Sequence, residues 1–257
     1  MPPTTTERYA VVSCHVERPL DDRVWAVFAE LQERRPGGFA IAALLRPPDP
    51  AAGEDDDERW LARARAAQDR ATLGHHTHFT SPTHARPTGG ETGERVRREG
   101  AWLRERGVAP TAFCGGGWYT DLSVARACAE LGYADCTPRA RRPRYLPDGA
   151  AWAKLGFPGR IELGDGVVLP AVPTTHGIGD LARGIARAGL PPRVHAYFHD
   201  SDLVNPGRRR LILTTLTVLG RLRPPIALDT LADLVRNRGP SVTWNTVAQG
   251  EAAQGAT

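Results

Sequence analysis

The sequence predicts an α/β protein on a mostly parallel sheet, arranged either as a barrel or as a doubly wound sheet. Three observations predict it. Short β-rich runs alternate with amphipathic helical runs along most of the 257 residues, the pattern that packs helices on a parallel sheet. Neither a glycine-rich dinucleotide fingerprint nor a phosphate-binding loop follows the first strand, which lowers the odds of a Rossmann enzyme or a nucleotide hydrolase. Polar residues gather at the ends of apolar strands, where parallel barrels place their chemistry.

Taken in order, Tyr9 to Val16 reads as a buried strand, rich in branched apolar residues and without helical period. Asp21 or Asp22 caps a helix on which Val24, Val27, Phe28 and Leu31 recur at helical spacing. Pro36-Gly37-Gly38 ends that helix, and Phe39 to Leu45 is a second strand. A loop over Pro47 to Asp57 leads to a helix from Glu58 to Arg70, then to the strand-like Ala71 to Phe79. Ser81 to Gly93 is a loop, Glu94 to Arg106 a helix with Gly107 as its C-cap, and Thr111 to Cys114 a strand ending in three glycines. Asp121 caps a helix ending near Gly132, and Tyr133 to Cys136 resumes β structure. The pattern weakens from Pro138 to Gly166, where a hairpin insertion is expected. Strands at Val167 to Val172 and Val194 to Phe198 follow, with helices over Gly179 to Ala188, Arg208 to Leu222 and Thr230 to Arg238. A short strand is expected at Val242 to Trp244, and a frayed end from Gln249.

Composition is that of a globular protein, with 41% apolar and 24% charged residues. No apolar run is long enough to span a membrane, and none precedes the first strand, so a cytoplasmic protein without membrane association is expected. The net charge of +4 invites a nucleic-acid reading. The densest basic patch, Arg139, Arg141, Arg142 and Arg144, lacks an aromatic-and-basic recognition module, so it reads as a solvated or substrate-facing loop with no nucleic-acid partner. The four cysteines show no paired spacing and read as reduced thiols.

All eight histidines lie at strand ends or in the Thr174-Thr175-His176 segment. The first strand ends in His15-Val16-Glu17, and residues two apart on a strand share a face. The third ends in Gly74-His75-His76-Thr77-His78, with His84 beyond; a later one carries His195 and ends in His199-Asp200. Imidazoles with a carboxylate are the ligands of a divalent first-row ion, zinc foremost, and a catalytic ion takes about three of them.

The order of these motifs resembles the polysaccharide deacetylase superfamily, which includes de-N-acetylases of chitin oligosaccharides and peptidoglycan. Val12 to Glu17 stands where the family has an aspartate pair, and Gly74-His75-His76-Thr77 resembles its Gly-x-His-(Ser/Thr) motif. Phe113 to Tyr119 with Leu131-Gly132-Tyr133 is similar to its substrate-groove region, and Val194 to His199 to the strand donating its catalytic acid. The resemblance implies one distorted (β/α) barrel of about seven strands over residues 9–238, followed by a partly disordered extension over 239–257. Here His15 replaces the base aspartate, Glu17 the metal-binding aspartate, Thr80 the second metal histidine, Cys114 the groove arginine and Gly116 the proline.

The chemistry so implied is removal of an acyl group, acetyl in the family, from an amino sugar or glycosylated small molecule. The metal ligands would be Glu17, His76 and either His78 or His84. His15 would be the base, unless it is itself a ligand, and its pKa is expected near working pH. His199 would be the acid. Trp118, Tyr119, Cys114, His176 and Asp200 are the candidate substrate-binding residues, with Asp202 sharing an orienting role. The small-molecule or oligosaccharide substrate would be met inside the cell. Two rivals are a metal-independent amidase or ring-opening hydrolase of the same fold, and a catalytically silent sugar-binding protein.

Overall fold

A computed structural model describes residues 8–50, 53–79, 91–143, 146 and 148–250. Strand β1 is Tyr9–Val16, as expected, and helix α1 (Asp22–Arg34) starts at Asp21, whose carboxylate accepts from the Val24 N–H. There follow β2 (Ala42–Leu45), α2 (Asp57–Gln68), β3 (Leu73–Thr77), α3 (Thr92–Glu105), β4 (Ala112–Gly115), α4 (Leu122–Glu130) and β5 (Ala134–Asp135). Then come β6 (Trp152–Ala153), β7 (Gly159–Glu162), β8 (Val168–Ala171), β9 (His176–Gly177), α5 (Ile178–Ala186) and β10 (Arg193–His199). The chain continues through α6 (Asp200–Leu203), α7 (Pro206–Leu222), α8 (Leu228–Arg238), β11 (Ser241–Thr243), α9 (Trp244–Val247) and β12 (Ala248–Gln249).

Among the described residues ten strands form one sheet in the order β11-β7-β8-β5-β4-β3-β2-β1-β10-β9. All its pairings are parallel except β7 with β8. β1 shows why the strands read as continuous apolar runs: it is buried on both faces. Ala10, Val12, Cys14 and Val16 pack with Phe28, Leu31 and Ile212 of the helical layer. Tyr9 and Val11, on the other face, pack with Leu44, Ala112, Cys114 and Trp118, and with Leu228 and Leu231 of α8.

The stretch from Val168 to Gly177 touches two distant parts of the sheet. Its first half pairs with β5, continued by Val172 N–H to the Asp135 carbonyl at 2.8 Å. Its second half pairs with β10, where Thr175 N–H donates to the His195 carbonyl at 2.9 Å. The hairpin expected between Pro138 and Gly166 is formed by β7 and β8 around the left-handed Gly164, Asp165 and Gly166, so its first strand and turn lie within the expected range and its second strand just beyond it. β11 extends the sheet beside β7, and Trp244 and Val247 are buried in a core with Phe113 and Leu169. Residues 241–249, read from sequence as part of an extension, therefore belong to the packed unit. No helix among the described residues is long and apolar enough to cross a membrane.

Candidate functional site

The site forms where β1, β3 and β10 end. Glu17 lies just past β1, and two buried groups fix it. Arg46 donates from Nε and Nη2 to the Glu17 carbonyl at 3.2 and 3.0 Å, and itself holds the Glu54 carboxylate. Asp200 accepts from the Arg18 N–H at 2.8 Å and the Ser201 N–H at 2.7 Å, tying the end of β1 to that of β10.

Alternation on β3 divides its histidines. His75 and Thr77 face α3, where His75 Nε2 lies 2.9 Å and Thr77 Oγ1 2.8 Å from Glu99 Oε2. His76 and His78 take the other face. The His76 Nδ1–H donates to the Cys114 carbonyl at 2.7 Å, which puts the lone pair on Nε2, turned toward His78, the way a carbonyl commonly orients a ligating histidine. The Nε2 atoms of His76 and His78 are 3.1 Å apart. Glu17 Oε1 lies 3.8 Å from the first, 3.4 Å from the second and 3.6 Å from His199 Nε2. Ligands held at about 2.0–2.1 Å around a tetrahedral ion are roughly 3.3 Å apart. Glu17, His76 and His78 therefore match in spacing and donor chemistry what a small divalent cation requires.

His15 adjoins this triad. Its ring centroid is 4.6 Å from that of His76, 5.1 Å from His199, 5.3 Å from Trp118 and 5.4 Å from Tyr197. Its buried Nε2 has no hydrogen-bond partner among the described residues. A buried polar atom left so costs about 1–3 kcal/mol, and a ligand or water at the cation position would relieve it.

Burial dominates the electrostatics. It drives His15 well below the usual imidazole range, and the neighbouring His76 and His199 add to the effect. The expectation that His15 titrates near working pH is thus not met: burial favours its neutral form. Burial also lowers His76 to about 4. For Glu17, burial acts upward, but the adjacent imidazoles of His76 and His78, and then His199, bring it well below the carboxylate range. An anionic carboxylate beside a neutral His76 is the protonation state that a metal needs.

The other candidates separate. Trp118 faces the chamber, in the left-handed region at φ 64°, but is only 3% exposed and forms a wall rather than an open platform. His199 has a 38% exposed side chain at the mouth, beside a cavity of about 290 Å³ lined in part by Tyr197, Asp202 and Arg208. His176 is half-buried, with Nδ1 2.7 Å from Thr175 Oγ1.

Three expected substrate contacts are corrected. Tyr119 turns away into the core, its hydroxyl donating to Asp121 at 2.6 Å and its ring against Phe79, because the turn after β4 sends adjacent residues to opposite sides. Cys114 is fully buried, and burial, then Cys136 and Asp135, holds its thiol well above its ordinary value. Asp200 is fully buried and spends its oxygens on backbone N–H groups; burial raises it to about 6. His195 is also structural, bonded to Ser13 Oγ at 2.9 Å and the Val172 carbonyl at 3.1 Å. His84 and Thr80 lie outside the described residues.

Of two residues beside His15, Tyr197 had no role in the sequence reading, and Arg139 was read only as part of a solvated or substrate-facing basic loop. Tyr197 stands two before His199 on β10, so strand alternation could have found it. Arg139 stacks on Trp118 and Tyr197, a placement that no local signal announces.

No protein-family model matches the chain, and no curated protein does. Among solved structures it is similar to a 4-alpha-glucanotransferase from Thermococcus litoralis, with a TM-score of 0.56 and 13% identity over 93% of this chain and 42% of that one. The chain thus spans less than half of that enzyme's length. At such identity the likeness shows the fold alone: an α/β protein on a large, mostly parallel sheet.

Proposed function

We propose that the chain is a metal-dependent hydrolase that removes an acyl group from an amide on an amino sugar or glycosylated small molecule. The observation that carries this reading is the convergence of Glu17 Oε1 with the Nε2 atoms of His76 and His78 at 3.1–3.8 Å. The finer architecture of the proposal is a distorted barrel of seven strands: β1 to β5, β10, and the Val168–Gly177 stretch joining β5 to β10. The hydrogen bonds at both ends of that stretch support it, and the active end is then the usual one, at the carboxyl ends of the strands.

A divalent ion, zinc first by its liking for imidazole and carboxylate, would supply Lewis acidity and make water at the site more acidic. Glu17, His76 and His78 would hold it. His15, neutral and with an unpartnered Nε2, accepts the proton of the attacking water, and the Glu17 carboxylate steadies the imidazolium. His199, exposed at the mouth, donates a proton from Nε2 to the departing amine. Trp118 and Tyr197 close the wall beside His15 and limit water there.

The test is metal analysis of purified wild type, His76→Ala and Glu17→Gln, followed by deacetylation of N-acetyl sugars with and without chelator. One equivalent of metal in wild type, lost in both variants, and turnover abolished by chelator are expected. Wild type that binds no metal after incubation with zinc would refute the reading.

A further inference from the structure

Arg139 is an arginine that neither the fold nor the proposed chemistry uses. Its backbone is held on both sides: its N–H donates to the Ala153 carbonyl and its own carbonyl accepts from the Leu155 N–H, both at 3.0 Å. The side chain therefore departs from a fixed point. Its guanidinium lies 4.5 Å from the Trp118 ring centroid and 5.3 Å from that of Tyr197. Trp118 is in turn 5.3 Å from the His15 ring, so the charge stands within about 10 Å of His15.

The guanidinium is held in place but open to an incoming group. Arg139 is half-buried, yet its side chain makes no hydrogen bond or ion pair among the described residues. Arg46, Arg95 and Arg97, buried to a similar or greater degree, each hold a carboxylate. Contact with the two aromatic rings positions the guanidinium. Its five N–H donors make no bond to protein among the described residues and are available to a ligand. A planar fork steadied by aromatic walls is suited to a two-oxygen anion. The charge also reaches His176 and His195, lowering both after burial has done so, which places it toward the same chamber.

We propose that Arg139 is the oxyanion-binding residue of this site, receiving a carboxylate or phosphate group of the substrate beside Trp118 and Tyr197. The word substrate rests on the hydrolase reading above; the anion site does not. The substrate class narrows accordingly, to acylated molecules with an acidic group about one substituted sugar ring away from the reacting amide. A neutral N-acetyl sugar would leave the fork unfilled.

The experiment is calorimetric titration of the full chain, stripped of metal, at pH 8 and constant ionic strength, with inorganic phosphate and separately with acetate. Wild type, Arg139→Gln and Arg139→Lys are compared, with near-ultraviolet dichroism to check folding. Saturable binding of one anion per chain is expected in wild type, weakened about tenfold or more by glutamine and less by lysine, which keeps the charge but not the fork. Preference for phosphate points to a phosphorylated substrate, and preference for acetate to a carboxylated one. No saturable binding in wild type, or equal binding in folded Arg139→Gln, overturns the proposal. Metal content measured on the same proteins separates the two readings. Arg139-dependent anion binding in a chain that takes no metal removes the hydrolase reading alone; metal without anion binding removes this one alone.

Discussion

Replacing Gly115 by alanine tests whether the glycine run after β4 sets the position of Trp118. A Cβ at Gly115 would lie 2.2 Å from the Tyr119 carbonyl oxygen, whereas real Cβ contacts stay beyond 3.0 Å. The turn must therefore open by about 1 Å, and the obstacle is backbone that cannot rotate away. The turn has little slack, with Gly117 at φ 61°, Trp118 at φ 64°, and the Tyr119 N–H donating to the Gly116 carbonyl. Overpacking of this kind costs roughly 1–3 kcal/mol. At about 2–4 °C per kcal/mol for a chain of this length, Tm falls by about 2–12 °C. The opening also loosens Trp118 from His15, Tyr197 and Arg139, to which its ring lies at 5.3, 4.8 and 4.5 Å. Thermal unfolding gives the stability change, and the near-ultraviolet difference spectrum against Trp118→Phe reports the tryptophan environment. A Gly115→Ala protein with unchanged Tm and an unchanged Trp118 signal would refute the reasoning.

Asp135 is buried and burial raises its carboxyl to about 6, from 3.8. A raised folded-state pKa means stability fully present below the unfolded value and lost as pH rises through the folded one, so Asp135→Asn should gain on wild type by up to about 3 kcal/mol between pH 4 and 7. Urea unfolding at both pH values measures it, and a constant difference between the two proteins would count against the argument. Glu99 has the opposite sign: burial acts upward, but His75 and Arg95 bring its carboxyl below the ordinary value, so its contribution disappears as pH falls. Glu99→Gln should cost about 1.5–3 kcal/mol at pH 7 while metal content stays at the wild-type level, since His75 faces away from Glu17; a loss of metal would show that the two faces of β3 are coupled.

Much of the local structure was legible in the chain. β1 matched its apolar run, and Asp21 and Asp121 both cap the helices they were expected to cap. Period-two alternation alone pairs His15 with Glu17 and His76 with His78. These are properties of neighbours in sequence, governed by backbone geometry, so sequence determines them. Which histidine meets the Glu17 carboxylate and which packs against a helix is not such a property. His75 and His76 are adjacent and identical in type, but the strand pleat delivers one to Glu99 on α3 and the other to Glu17 on β1. Tyr119 and Cys114 seemed equally fit for a groove until the turn after β4 and the neighbouring strands buried them.

The sequence by itself determined the α/β class, most of the elements and most of the groups able to do chemistry. Tertiary structure alone decided their partners. It set the protonation of His15 and Glu17 through burial and proximity, and it brought Arg139, more than a hundred residues from His15 in the chain, to the same chamber. Charge and desolvation act through space, and a linear pattern contains no measure of that distance.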